Sequence, residues 1–198
     1  ASDLVDYLLK GGYDLTVVGL PKTIDNDVRP IKQTLGAWTA AEQGARFFKN
    51  IVNENTTSSR HLIIHEIMGR NCGWLAAATA DYYLNNLNQN NFIDSYNLSQ
   101  DSWSIDGLYI PEIPIDIDSE SKRLLDVMDR KDSVNIFLSE GAGIDSIINE
   151  KELKGEVIAK DAFGHAQLDK INPGLWFGNH LKSTLKADKI LIQKSGYF

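Results

Sequence analysis

The sequence predicts an α/β fold, a three-layer sandwich in which helices cover both faces of a mainly parallel sheet. Short apolar runs alternate with longer segments that repeat apolar residues every three or four positions, as expected of βαβ units. Residues 15–20 are rich in β-branched side chains and nearly free of charge, which is typical of a strand buried on both faces. Polar loops follow several of the apolar runs, and ligands of such sheets bind at the carboxyl ends of the strands.

The first half of the chain predicts two strands and three helices. Residues 4–10 predict a helix that ends at a pair of glycines, and residues 15–20 the first strand. Thr34 is expected to cap the second helix, because apolar residues then recur at helical spacing. Residues 61–67 read as a second strand, and the alanine-rich segment 74–87 reads as a helix.

The second half repeats the alternation. Three apolar runs predict strands, and three amphipathic or charged segments predict helices, the second of them helical only in part. The strands are expected at 108–112, 134–138 and 189–193, and the helices at 119–130, 145–160 and 178–186. We expect a first α/β domain to reach about residue 110 and a second to cover residues 111–198.

Composition narrows the classes of function. The 198 residues carry a net charge of −7 and contain no apolar run near the ~20 residues of a membrane helix. The acidic balance and the lack of a basic stripe argue against a nucleic-acid surface, and no membrane partner is expected. Cys72 is the only cysteine, so no internal disulfide can form, and a reducing cytoplasm is expected.

The most informative motif is the loop after the first predicted strand, which reads Pro-Lys-Thr-Ile-Asp-Asn-Asp over residues 21–27. It places two carboxylates, Asp25 and Asp27, beside the hydroxyl of Thr23 and the ammonium of Lys22. One carboxylate could act as a base and the other could hold Mg²⁺. A plain turn is the alternative, since Asp and Asn satisfy loop backbone.

This motif resembles the catalytic loop of the phosphofructokinase family, and three further landmarks follow in the family's order. They are Met68-Gly69-Arg70, Glu140-Gly141 and the segment Phe163-Gly164-His165-Ala166-Gln167. Lys22 is similar to the residue of the pyrophosphate-dependent branch, whereas ATP-dependent members usually carry Gly there. Relative to the family, a first strand and a Gly-rich phosphate loop are missing upstream, so the sequence is interpreted as a fragment of a longer two-domain enzyme.

The resemblance implies a role for each residue of the acidic loop. Asp25 would be the base that takes the proton of the 1-hydroxyl of fructose 6-phosphate, and Asp27 would help to bind Mg²⁺. Thr23 would offer its hydroxyl to the substrate, and Lys22 would neutralise diphosphate. The alternatives are loop caps for the two aspartates and a solvated surface residue for Lys22.

The other landmarks are expected to bind fructose 6-phosphate. Arg70 can form a bidentate pair with phosphate, Gly69 lets the backbone approach the sugar, and Met68 is expected to bind through its backbone or to pack. Glu140 would accept hydrogen bonds from sugar hydroxyls, with a carboxylate at a helix N-terminus as the alternative. His165 would hold the 6-phosphate.

The sequence is therefore identified as a member of the pyrophosphate-dependent phosphofructokinase branch. The implied reaction moves a phosphoryl group from diphosphate to fructose 6-phosphate and forms fructose 1,6-bisphosphate, in an enzyme that is a homo-oligomer, a dimer or tetramer. An ATP-dependent 6-phosphofructokinase and an inactive regulatory homologue that binds sugar phosphate are the alternatives. The intact Asp25 and Asp27 argue against the inactive homologue.

Overall fold

A computed structural model describes residues 2–89, 92, 99–159 and 171–195. Within these residues, four strands pair side by side in the order β2-β3-β1-β4, and every pair is parallel. The strands are β1 (His61–Ile67), β2 (Gly107–Tyr109), β3 (Ser133–Ser139) and β4 (Lys189–Lys194). β1 and β3 are buried along their whole length, as expected of strands covered on both faces.

Six α-helices accompany the sheet in the described residues, and two short 3₁₀ segments lie at Val52–Thr56 and Gln100–Trp103. The helices are α1 (Ser2–Lys10), α2 (Ala37–Ile51), α3 (Trp74–Leu87), α4 (Ile117–Lys131), α5 (Ile144–Leu153) and α6 (Pro173–Leu185). Side-chain caps begin two of them: Asp116 accepts from the Ser119 N–H before α4, and Asn172 accepts from the Leu175 N–H in α6.

Two apolar cores lie on opposite faces of the sheet. On one face, Ile63 and Phe137 pack with Phe48 of α2 and with the buried side of α3. On the other face, Leu62 and the alternate residues of β3 pack with α4 and with Phe177 of α6. Helices α2 and α3 form a layer on one side of the strands and α4 and α6 on the other, which confirms the predicted three-layer α/β fold with a parallel sheet.

The predicted strand at residues 15–20 is absent, so that prediction was wrong. These residues form no strand, and Leu15, Val18 and Leu20 are 56%, 74% and 79% exposed. No backbone hydrogen bond links them to the four described strands. A strand is stabilised by hydrogen bonds to neighbouring strands, so an apolar, β-branched run without a neighbour does not form one.

Helix α2 also begins differently from the prediction. Gly36 occupies the position before its first residue, with a φ of 90°, and the hydroxyl of Thr34 is used elsewhere. The remaining predicted strands and helices are present, most with ends shifted by a few residues. The larger differences are that α6 begins five residues earlier than predicted, α5 ends at Leu153 within the predicted segment 145–160, and β2 is shortened to three residues.

Strands from both sides of residue 110 pair within one sheet, since β1 lies between β3 and β4. The division of the whole protein into two domains near this residue stays a prediction. None of the helices in the described residues is long and apolar enough to cross a membrane.

Candidate active site

The site is built at the carboxyl ends of β1 and β3. The two strands are neighbours, and their last residues, Ile67 and Ser139, are partners in the parallel register. The loops that follow each strand, 68–73 and 140–143, therefore start side by side. This register therefore brings together two of the sequence motifs, Met68-Gly69-Arg70 and Glu140-Gly141.

Four hydrogen bonds join these loops. The Glu140 N–H donates to the Ile67 carbonyl at 2.8 Å, and the Gly141 N–H donates to the Gly69 carbonyl at 3.2 Å. The Ser139 hydroxyl donates to the same Gly69 carbonyl at 2.7 Å. The Gly69 N–H in turn donates to a carboxylate oxygen of Glu140 at 3.4 Å. Glu140 is thus held by the loop that it faces through one carboxylate oxygen, and a carboxylate has a second oxygen that can accept from other donors.

Glycine is required at two points of this contact. Gly69 has a φ of 140°, and a Cβ there would lie 2.4 Å from the Cys72 carbonyl oxygen. A Cβ on Gly141 would lie 1.8 Å from the Arg70 carbonyl oxygen. The loops approach so closely that either side chain would force them apart.

The acidic loop lies against the same region although its preceding strand is missing. The Cys72 thiol donates a weak hydrogen bond to the Asp25 carbonyl at a sulfur–oxygen distance of 3.5 Å. Thr23 accepts from the Asp25 N–H through its side-chain oxygen at 3.2 Å. Burial, together with the charge of Asp27, raises the pKa of Asp25 above its ordinary value, while a hydrogen bond between the Thr23 side chain and the Asp25 carboxylate opposes the shift. Burial raises the pKa of the Cys72 thiol, which argues against a nucleophilic role.

Three residues of the site were not predicted from the sequence to belong to it. Thr34 is buried and donates to the Thr23 carbonyl at 2.6 Å, and the Asn26 side chain accepts from the Thr34 N–H at 2.8 Å. Glu112, after β2, accepts from the Gly73 N–H at 2.8 Å at the start of α3. A Cβ on Gly73 would meet the side chains of both Ile110 and Glu112. No local sequence pattern predicts these contacts. A threonine such as Thr34 ordinarily caps a helix, and a carboxylate such as Glu112 after a strand has no characteristic partner.

A cavity of about 420 Å³ opens beside the joined loops. Its lining includes Arg70, Glu112 and Gly141, together with Asp145 at the start of α5. No residue of the acidic loop is among the described lining residues. Arg70 therefore faces this cavity, whereas Asp25 contacts the opposite end of the same loop at Cys72.

The structure places most of the predicted site residues at this edge, and their roles stay predictions. Thr23 and Asp25 are partly buried, Lys22 and Asp27 are exposed, and Met68 is 46% exposed. Gly69 is buried, Arg70 is exposed and Glu140 is partly buried. His165 lies outside the described residues, as does the closing segment around it.

The carboxylates of Asp25 and Asp27 are oxygen donors of the kind that Mg²⁺ binds. The two carboxylates are close enough for the charge of Asp27 to act on Asp25. No cluster of three or more metal-ligating side chains occurs within residues 2–89, 92, 99–159 and 171–195. Mg²⁺ commonly uses one or two carboxylates and takes its other ligands from water and phosphate.

Comparisons with known proteins show that the chain is similar to phosphofructokinases. The family model described as "Phosphofructokinase" matches residues 2–84. The pyrophosphate–fructose 6-phosphate 1-phosphotransferase of Methylomonas methanica is 54% identical over 198 residues, which are 100% of this chain and 48% of that protein. The ATP-dependent 6-phosphofructokinase 1 of Arabidopsis thaliana is 28% identical over 198 residues, covering 98% of this chain and 37% of that protein.

A solved structure shares the fold. The crystal structure of the pyrophosphate-dependent phosphofructokinase from Marinobacter aquaeolei aligns with a TM-score of 0.60 and 21% identity, over 99% of this chain and 41% of that one. The chain spans about half the length of curated relatives that are 52–54% identical to it.

Proposed function

Because the chain belongs to the phosphofructokinase family, we propose that the whole protein transfers a phosphoryl group from diphosphate to fructose 6-phosphate. The 1-hydroxyl oxygen of the sugar forms a bond to one phosphorus, and the bridging bond of diphosphate breaks. The products are fructose 1,6-bisphosphate and orthophosphate. This chemistry needs positioning, charge neutralisation and a proton acceptor, and it needs little else from the protein.

Asp25 is the proton acceptor in this proposal. It takes the proton that the 1-hydroxyl loses as the new bond forms, and it later passes that proton to solvent. Burial and Asp27 raise its pKa, which makes the carboxylate a stronger base than a solvated aspartate. The Thr23 side chain also interacts with the Asp25 carboxylate, so it stands next to the same reacting group.

The joined loops after β1 and β3 hold the sugar phosphate. Arg70 supplies a guanidinium that can pair with phosphate through two parallel hydrogen bonds. Glu140 accepts from sugar hydroxyls with the oxygen that Gly69 leaves open, and Met68 is half-exposed beside them. His165 is assigned to the 6-phosphate on the sequence motif alone.

Lys22 supports diphosphate as the donor. It is exposed next to Thr23, where its ammonium can approach a highly charged leaving group. The names of the relatives also support this choice, because those at 52–54% identity are pyrophosphate-dependent and the ATP-dependent ones share 26–29%.

Asp27 would help to hold Mg²⁺ in the whole protein. When bound, the ion neutralises the charge of the phosphoryl oxygens and orients diphosphate. A homo-oligomeric enzyme of the cytoplasm is part of the same proposal.

The observation that carries the proposal is the packing of three separate motifs on one edge. The acidic loop touches Cys72, and the loop that contains Cys72 is bonded to Glu140 and Gly141. A base, a phosphate-binding arginine and a sugar-binding carboxylate therefore lie on adjoining loops.

The test is a steady-state assay of the full-length protein with fructose 6-phosphate and either diphosphate or ATP. We expect the higher kcat/KM with diphosphate, and Lys22→Ala should reduce it at least tenfold. Lys122→Ala, a change at an exposed lysine of α4, is the matched control and should leave it unchanged. A preference of the wild type for ATP by more than tenfold, about 1.4 kcal/mol of transition-state free energy, would overturn the choice of donor.

A further inference from the structure

The acidic loop is closed by a set of hydrogen bonds that the proposed reaction does not explain. The Thr34 hydroxyl donates to the Thr23 carbonyl at 2.6 Å and lies 3.2 Å from the side-chain oxygen of Asn26. The Thr34 N–H donates to that same Asn26 oxygen at 2.8 Å. The Asn26 amide donates to the Lys32 carbonyl at 3.3 Å. These contacts cross the loop from both sides of Asp25.

Thr34 is the anchored end of this set. Its residue is 1% exposed, and it stands three positions before α2, whose first residue, Ala37, is fully buried. The backbone closes the loop at the same place, where the Leu35 N–H donates to the Pro21 carbonyl at 3.1 Å. The position of the acidic loop is thus tied to a helix that packs into the core, although residues 15–20 pair with no described strand.

Asn26 is the other end of this set, and its backbone conformation is unusual. It has a φ of 54°, in the left-handed region that Asn tolerates better than most residues. This conformation turns the chain between Asp25 and Asp27, and the side-chain oxygen that holds it accepts from Thr34. A change in either partner would alter the direction of both carboxylates.

We propose that Thr34 and Asn26 form a latch that positions Asp25 for proton transfer. The proposal rests on the function proposed above. Thr34 and Asn26 are positioning residues, since they act through the backbone of the loop and reach no reacting atom themselves. Displacement of a reacting group by about 1 Å can lower a rate by about 10²-fold, so the latch acts mainly on kcat.

Three variants of the full-length protein test the latch. Thr34→Val keeps the shape of the side chain and removes the hydroxyl, whereas Thr34→Ser keeps the hydroxyl. Asn26→Gly keeps the left-handed backbone accessible and removes the side-chain acceptor. We expect kcat to fall at least tenfold in T34V and N26G with KM for fructose 6-phosphate changed less than threefold, and T34S to recover at least a third of wild-type kcat.

Thr79→Val is the matched control for a lost buried hydroxyl. Thr79 is fully buried in α3, and its hydroxyl donates to the Leu75 carbonyl at 2.7 Å, away from the acidic loop. This variant should keep wild-type kcat even if it lowers the melting temperature as much as T34V does. If T34V does not fold, N26G decides the question alone.

A second readout separates this proposal from the proposed reaction. Hydrogen exchange of the backbone amides in residues 23–35 should become faster in T34V and N26G and stay unchanged in T34S and T79V, whatever substrate the enzyme uses. If the wild type does not turn over diphosphate but hydrogen exchange is faster in T34V, the proposed function would be rejected. The hydrogen-bonded latch itself would still be supported. Wild-type kcat and unchanged exchange in both T34V and N26G would overturn the latch.

Discussion

The close contact of Gly141 with the loop after β1 predicts a large effect of one added methyl group. In Gly141→Ala the new Cβ would lie 1.8 Å from the Arg70 carbonyl oxygen and 2.6 Å from its carbon. Both are backbone atoms, so no side-chain rotation relieves the overlap. Gly141 has no positive φ, and the backbone itself accepts alanine. The whole effect is therefore the separation of two loops.

The size of the effect follows from these distances. The Arg70 oxygen must move by about 1.2 Å to reach 3.0 Å, below which real Cβ contacts are essentially never seen. This movement breaks the Gly141-to-Gly69 hydrogen bond, worth about 1 kcal/mol, and overpacking costs about 1–3 kcal/mol of folding free energy. Arg70 moves with its carbonyl, so we expect kcat/KM for fructose 6-phosphate to fall about 100-fold, equivalent to about 2.7 kcal/mol.

The assay is steady-state kinetics on the full-length protein, with urea unfolding to measure stability. Gly44→Ala is the control, because its Cβ would lie 3.0 Å from a methyl of Thr79 between α2 and α3, remote from the site. It should affect the free energy of unfolding and leave kcat/KM unchanged. Wild-type kcat/KM in G141A would refute the reasoning, since it would show that the two loops need not touch for substrate to bind.

Two further predictions concern Asp25 and His65. Asp25→Asn removes the proposed base at constant size, so kcat should fall at least ~10²-fold with little change in KM for fructose 6-phosphate; wild-type turnover would reduce Asp25 to a loop cap. His65 stacks on Phe48 and is fully buried, and burial lowers its pKa from 6.5 to about 3. The unfolded chain therefore binds a proton below pH 6.5 that the folded chain refuses, and stability falls as the pH falls: about 1.4 kcal/mol should be lost at pH 5.5 relative to pH 8. Urea unfolding of His65→Phe at both pH values should show a pH-dependent loss smaller by this amount, and an equal loss in the two proteins would contradict the assignment.

Much of the fold was predictable from local patterns. The runs that became β1, β3 and β4 contain consecutive apolar residues, and the sequences of α2, α3 and α4 place apolar residues at helical spacing. Parallel strands bring the loops at their carboxyl ends to one edge, so a shared edge for Gly69 and Glu140 was predictable. The direct pairing of β1 with β3, which makes the two loops neighbours, was decided by the tertiary structure.

The sequence by itself determined which residue types stand at the carboxyl edge: the aspartates of the acidic loop, Arg70 and Glu140. Only the tertiary structure decided what holds them. Residues 15–20 have the composition of a buried strand, but a strand needs a neighbour to pair with, and pairing is decided by distant residues. Thr34 is a residue type that commonly caps helices, but its hydroxyl donates to the carbonyl of Thr23, eleven residues away. Hydrogen bonds across a loop depend on which distant residues the fold brings close together, and a local sequence pattern does not contain that information.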